Sequence, residues 1–500
     1  MRRSKDIIMV DPDISQSAGQ HLSISRRDFV KQAGAVVAGS ALGWGLGCHV
    51  SAPISTRLKR PNLLFVYADQ MREMAMSCSG NPNLSTPNMD RLAAEGVRFS
   101  RMYTPSPLCS PARSSLMTGL YPHNAGVSNN NMRLRDDVRC IAEITSAAGY
   151  KTGHIGKWHL YGNFSPGRLA EYAFVPPEHH RGFQYWAGFE HGHKYFQSRY
   201  YTDSDTPIQL PPGAYEPDVQ TDLAIKFIEN NAAVPWHLDL SWGPPHFPLE
   251  QVKPEDLARH KPENIELRLN VPTRFHQQAR RDLCYYYAMI ENLDWNLGRL
   301  LNTLDKLGLS QDVIVVFMAD HGDMMLSHGQ HYKRRPQEES SRVPFIIRYP
   351  GTIGGGRICE DMSSLVDVVP TIVELMKLDV SEFDGVSLAA WLQERNRYPR
   401  HKCIFMECPK LGCRDYDPGL FAKSPWRAVR TDTHKAAFLK TDQSHAKLVQ
   451  LFDLSADPFE MKNLAESPRH RRISRQLAQH LTDWIRRTSD KDFAELRFVE

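Results

Sequence analysis

Two near-continuous apolar runs, Asn62-Leu63-Leu64-Phe65-Val66-Tyr67-Ala68 and Val313-Ile314-Val315-Val316-Phe317-Met318-Ala319, constrain this fold more than any other feature. Runs without polar alternation fit strands buried on both faces of a sheet, the arrangement of α/β domains. Each run stops abruptly in polar residues, Asp69-Gln70 and Asp320-His321. Open α/β sheets collect ligands beyond the carboxyl ends of their strands, so these four residues are the first candidates for a site. Carboxylate and amide oxygens suit a hard divalent cation, with Ca²⁺ the first choice and Mg²⁺ or Mn²⁺ the alternatives. An Asp-Gln pair can equally cap a helix, so its meaning depends on what else converges there.

The run Pro107-Leu108-Cys109-Ser110-Pro111-Ala112-Arg113-Ser114-Ser115-Leu116-Met117-Thr118-Gly119 is the second informative feature. Ser110 is expected as N-cap and Pro111 as the first residue of a short helix reaching about Leu120. A group at position 109 would then meet free helical N–H groups and the positive end of the dipole, where an oxyanion is favoured. A lone cysteine there would more often be a small buried hydrophobe. Downstream lies Gly149-Tyr150-Lys151-Thr152-Gly153-His154-Ile155-Gly156-Lys157-Trp158-His159. Alternate residues of an extended segment point the same way, so Lys157 and His159 are expected to share a face while Trp158 packs behind them. Trp236 to Ser241 reads as another strand, running through Gly243-Pro244-Pro245 into His246.

Together these segments resemble the type I, formylglycine-dependent sulfatases of the alkaline phosphatase superfamily. The resemblance implies that Cys109 is oxidised after translation to formylglycine, which makes a formylglycine-generating enzyme an obligatory partner. It implies that Lys157 and His159 face the sulfate and the nucleophile, that Arg113 and His159 hold the diol, and that His246 protonates the leaving group. Lys333, beside Arg334 and Arg335, matches the second sulfate-binding lysine. The implied metal ligands are Asp69, Gln70, position 109, Asp320 and His321, with Asp320 also able to take a proton. Family members commonly carry two acidic residues after the first strand, so Gln70 removes one negative charge and, with His321, bears on which metal is held. The implied fold is α/β: a large mixed sheet flanked by helices on both faces, followed by a smaller C-terminal antiparallel sheet-plus-helix domain. The implied activity is hydrolysis of an organic sulfate ester, carbohydrate sulfates first. Phosphomonoester, phosphodiester and phosphonate ester hydrolases built from the same parts are the rival reading. A non-catalytic binder of sulfated glycans is the third, and it has no need of the leaving-group histidine.

Five hundred residues exceed what one core usually supports, so a catalytic domain over 58–390 and a C-terminal subdomain over 391–500 are expected. Lys and Arg number 61 against 57 Asp and Glu, and this near balance leaves no nucleic-acid footprint. At the N-terminus, Arg26-Arg27 precede an apolar stretch from Ala33 to Gly47, too short to span a bilayer. Residues 1–50 therefore resemble a signal for the twin-arginine export machinery, which implies an exported, periplasmic or cell-surface protein with Cys48 as an optional lipid anchor. Nine cysteines make no disulfide framework in a chain this long. Cys403, Cys408 and Cys413 lack the close pairs of a zinc site and are read as structural, with one bridge forming after export. Helices are expected over Thr86–Gly96, Gln277–Leu307, Asp367–Leu378 and His470–Thr488. Strands are expected at Val343–Arg348, Lys402–Met406, Trp426–Arg430 and Leu448–Asp453. Residues 164–215 read as a long irregular segment rich in Pro, His, Tyr and Phe. Its place between the Lys157 and His246 segments would let it line the pocket mouth, with Lys194 and Arg199 as contacts to an anionic sugar.

Overall fold

The structure is a computed structural model that describes residues 60–162, 171–379, 382–394, 400–409, 421 and 424–499. The export segment, Cys48 and Cys413 lie outside these residues. A mixed sheet of eight strands organises the molecule. The strands are β1 (Asn62–Asp69), β2 (Val97–Phe99), β3 (Lys151–Lys157), β4 (Tyr185–Phe189), β5 (Trp236–Pro245), β6 (Val313–Ala319), β7 (Phe345–Arg348) and β8 (Arg357–Cys359). Their spatial order is β8-β2-β7-β6-β1-β5-β3-β4. The central strands run parallel, and β7 is antiparallel to both β6 and β2.

Every residue of β1, β5 and β6 is buried, on both faces of the sheet. Each such aliphatic side chain contributes about 1.5–3 kcal/mol on leaving water, so register in these strands is strongly specified. β1 and β6 pair with Ala68 opposite Ala319. Asp69 and Asp320 consequently leave the sheet side by side, as apolar runs ending in polar pairs require.

The helices that matter for the site are α1 (Pro87–Glu95), α2 (Cys109–Thr118), α3 (Ile141–Ala147), α4 (Glu216–Asn230), α5 (His276–Lys306), α6 (Val368–Leu375) and α7 (Arg471–Thr488). α5 buries Leu283, Tyr286, Tyr287, Ile290, Leu293, Leu297, Leu300, Leu301 and Leu304, the three-to-four spacing of an amphipathic helix. α2 is buried along its whole length and ends at Gly119 with φ 70°, where the left-handed turn favours glycine.

Four local expectations need correction. The N-cap of α2 is Leu108, so Cys109 itself is the first helical residue. The Ser110 hydroxyl does not fold back on the helix, because it accepts from the Asn131 N–H at 3.3 Å while Asn130 Oδ1 takes the Ser110 N–H. β3 ends at Lys157 and His159 has φ 60°, so strand alternation does not govern the pair. The stretch read as irregular contains β4, which extends the sheet edge through Gly156 opposite Gly188, and a short hairpin of Arg199–Tyr200 with Ile208–Gln209. α4 was not anticipated either; polar Glu216, Gln220 and Thr221 lie on its buried face, which weakens the helical periodicity.

Beyond the main sheet, Ile404–Cys408, Trp426–Arg430, His434–Lys440 and His445–Asp453 form an antiparallel meander, and Arg497–Val499 adds a short parallel edge. Leu477, Leu481, Trp484 and Ile485 of α7 pack with Phe405, Phe438 and Leu448 of that sheet. Polar links tie it to the catalytic region: His123 Nδ1 lies 2.8 Å from Glu407 Oε2, and the Lys435 ammonium donates to Glu338 at 2.8 Å. The cysteines at 78, 109, 140, 284, 359 and 403 are free thiols, so no bridge joins any of these six. No described helix is long and apolar enough to cross a membrane.

Candidate active site

Position 109 lies where the N-terminus of α2 meets the carboxyl ends of β1 and β6. Cys109 Sγ is 3.2 Å from His321 Nε2, 3.4 Å from the Lys333 ammonium and 3.8 Å from Asp69 Oδ1. Asp69, Cys109, Asp320 and His321 each offer a ligand atom, and these atoms all lie within 4.8 Å of one another. All four are buried. Two carboxylates and an imidazole, with the Gln70 amide oxygen on the next residue, form an oxygen-rich donor set that fits a divalent cation.

The backbone makes this convergence possible. Gln70 takes φ 71°, which turns the chain off β1 so that its N–H donates to Asp320 Oδ1 at 3.1 Å. The Tyr286 hydroxyl of α5 holds this turn by donating to the Gln70 carbonyl at 2.8 Å. The Gln70 side chain faces two ways, its Nε2 donating to Asp323 and its Oε1 accepting from the Lys333 ammonium. Gln70 thereby couples Lys333 to the acidic shell, a role a second aspartate could not fill beside Asp323 without like-charge repulsion.

Arg113, one helical turn beyond Cys109, is fully buried. Its Nε donates to Asp320 Oδ2 at 3.1 Å and its Nη2 to Asp69 Oδ2 at 3.3 Å. Nη1 donates to the Lys157 carbonyl and the Ser241 hydroxyl, both at 2.8 Å. Arg113 therefore clamps the two carboxylates and ties β3 and β5 to them. The Lys157 ammonium donates to Asp69 Oδ2 at 2.5 Å.

These charges set the protonation states. Burial pushes the Asp69 carboxyl up, but Lys157, with Arg113 and Lys333, outweighs it and holds it well below the usual carboxylate range. Burial and Asp69 raise the Cys109 thiol, whereas Lys157, Lys333 and His321 bring it down to about 7. Burial, with His193 and Lys333 adding to it, holds the His246 imidazole well below its ordinary value. Burial does the same to His159, reinforced by Lys157. The cleft thus presents two ammonium groups, with the imidazoles of His246 and His159 held neutral, around one polarised side chain, a surface built for an anion.

A family model described as Sulfatase matches residues 61–378. The chain belongs to the sulfatase family. As a sulfatase it is a sulfuric ester hydrolase, and a second model, N-sulphoglucosamine sulphohydrolase C-terminal, matches residues 327–487. An ulvan-active sulfatase of Formosa agariphila is 31% identical, over 86% of this chain and 82% of that protein. An endo-4-O-sulfatase of Bacteroides thetaiotaomicron is 27% identical, over 90% of this chain and 96% of that one. Among solved structures, a protein in complex with its substrate D-glucosamine-2-N,6-O-disulfate superposes with a TM-score of 0.71 at 25% identity, covering 87% of this chain and 100% of that chain.

Within this sulfatase, Asp69, Gln70, Cys109, Arg113, Lys157, Asp320, His321 and Lys333 come together as one cluster. His246 joins them, since Asp69, His193 and His246 also offer ligand atoms within 4.8 Å of one another. His159 is buried in the same cleft with its Nε2 3.0 Å from Asn131 Oδ1, and among the described residues its Nδ1 has no hydrogen-bond partner. Lys194 and Arg199 stand apart. The Lys194 ammonium is exposed and pairs with Glu171 at 2.9 Å, while the Arg199 guanidinium sits over the Tyr172 ring at 5.6 Å. Their segment contributes His193 to the cleft instead. His191-x-His193 beside Tyr195 was visible in the sequence, but nothing local said which member of that aromatic mixture turns inward.

Proposed function

We propose that this sulfatase is an exported, formylglycine-dependent enzyme that releases sulfate from a carbohydrate sulfate ester with the help of a divalent cation, Ca²⁺ by the chemistry of its donors. The observation that carries the reading is the crowding of Asp69, His321 and Lys333 around Cys109 Sγ. The carbohydrate substrate is supported by the names of the relatives, which include an ulvan-active sulfatase and an N-acetylglucosamine-6-O-sulfatase.

Oxidised to formylglycine and hydrated, position 109 supplies a geminal diol, one hydroxyl to attack sulfur and one to expel sulfate as the aldehyde returns. Asp69, Gln70, Asp320 and His321 would hold the cation, which would supply positive charge to favour the ionised hydroxyl and offset charge on the sulfate oxygens. The chain's own side chains do the rest. Lys333, at position 109, and Lys157, on Asp69, meet the equatorial oxygens as charge develops there. Arg113 keeps both carboxylates in place without touching the substrate. The Nδ1 of buried His159, without a hydrogen-bond partner among the described residues, would accept from a hydroxyl of the diol. His246 takes up a proton when the anionic ester docks, and gives it to the leaving oxygen.

Mass spectrometry of the tryptic peptide Met102–Arg113 tests the nucleophile. In active protein the cysteine sulfur is replaced by aldehyde oxygen, and Cys109→Ala abolishes turnover with the fold intact. Full activity from unmodified thiol would refute the mechanism. Turnover of sulfated glycans against aryl phosphate and phosphonate esters decides the substrate class, with preferential phosphate or phosphonate hydrolysis overturning it.

A further inference from the structure

His193 has no part in the assignments above, yet it is built into the cleft. Its ring lies parallel to that of His246, with centroids 3.8 Å apart and an interplanar angle of 6°. On the other flank Phe247 stacks on His246 at 4.2 Å and 27°. The His246 imidazole is therefore held between two rings. Its in-plane rotation is fixed separately, since Nδ1 lies 2.7 Å from the Phe247 carbonyl. Only the opposite edge, carrying Nε2, remains for a substrate.

The packing around His193 is as specific. The Tyr195 hydroxyl lies 3.2 Å from His193 Nδ1 and donates to the carbonyls of His246 at 2.7 Å and Gly243 at 3.1 Å. The Gln251 amide donates to the His193 carbonyl at 2.8 Å, and the Tyr172 hydroxyl accepts from the Lys194 N–H at 2.7 Å. Gly192 allows this approach, because a Cβ there would fall 2.3 Å from the Tyr172 ring. His193 itself is half-buried while His246 is buried, so His193 forms the solvent-side cover of the proton donor.

We propose that His193 is a positioning residue for leaving-group protonation: stacked between solvent and His246, it fixes the plane of that imidazole so that Nε2 meets the leaving oxygen. The inference rests on the assignment of His246 as proton donor. When the S–O bond breaks, the leaving oxygen keeps the bonding pair and takes the His246 proton, and the imidazole returns to neutral. A ring free to tilt would meet that oxygen less often in line, and proton transfer needs hydrogen-bond geometry. A flat ring at 193 suffices for this role, so the device is the stack and not a titrating group.

The test is a series of ring-substituted phenyl sulfates, from 4-nitrophenyl to 4-methylphenyl, assayed with matured wild-type, His193→Ala, His193→Phe and His246→Gln enzymes. Good leaving groups depart with little protonation, so loss of the donor steepens the fall of kcat/KM with leaving-group basicity. His246→Gln is expected to lose about 100-fold or more on 4-methylphenyl sulfate and far less on 4-nitrophenyl sulfate. His193→Ala should reproduce the steepened slope at roughly a tenth of that size, through kcat and not KM, and His193→Phe should recover most of the loss. Equal losses across the series for His193→Ala, or no recovery by His193→Phe in protein of wild-type melting temperature, overturn the proposal while leaving His246 in place. An unchanged slope in His246→Gln removes the donor assignment and this inference with it.

Discussion

Replacing Arg113 with methionine tests the electrostatic frame of the site. The guanidinium makes four hydrogen bonds from a fully buried position, to Asp320, Asp69, the Lys157 carbonyl and the Ser241 hydroxyl. Removing one member of a buried ion pair typically costs about 3–5 kcal/mol, because the partner charge stays behind. At about 2.1 cal/mol/K per residue, a folded unit of about 440 residues has an unfolding entropy near 0.9 kcal/mol/K. A loss of about 4 kcal/mol then lowers Tm by about 4 °C in chelator-treated protein. The pH dependence has a definite sign. Burial opposes ionisation of Asp69, but Lys157, with Arg113 and Lys333, leaves its folded pKa depressed. A depressed carboxylate contributes stability that is present above the unfolded pKa and lost as pH falls through the folded one. Arg113 is part of what depresses it, so the gap between wild type and Arg113→Met is full at pH 7 and narrows below about pH 4. Differential scanning calorimetry from pH 7 to pH 3.5 measures it. A gap under about 1 °C at pH 7, or one independent of pH, would refute the clamp.

Chelation should lower both Tm and rate, because Asp69 and Asp320 lose a counter-charge in a buried site, and adding back Ca²⁺ should restore both. Unchanged melting after complete removal would contradict the donor set. Gln70→Asp should alter metal preference and cost stability, since the amide's bond to Asp323 is replaced by like-charge repulsion; titration calorimetry with Ca²⁺ and Mg²⁺ reads the first and a melt the second. Gly156→Ala should destabilise by more than about 2 kcal/mol or fail to fold, because its Cβ would fall 2.1 Å from the Ser241 carbonyl at φ 103°. A Gly156→Ala protein of wild-type Tm would show that β3 and β5 are not so close.

What the sequence determined by itself was whatever depends on contiguous residues. The apolar runs Asn62–Ala68 and Val313–Ala319 specified strands buried on both faces, and their in-register pairing brought Asp69 beside Asp320. The segment from Cys109 to Arg113 is local too, since one helical turn carries the arginine from the nucleophile to the carboxylates. Tertiary structure decided the rest. The left-handed turn at Gln70 is held by Tyr286, more than two hundred residues away. β4 is short and partly aromatic, and became a strand only because β3 offered it an edge. The same edge carries the chain back so that His193 lands on His246, while neighbouring Lys194 turns out to solvent and Glu171. Side-chain chemistry told which residues could serve an anion site. Which of them face it is fixed by packing across the sheet, and no local pattern encodes that.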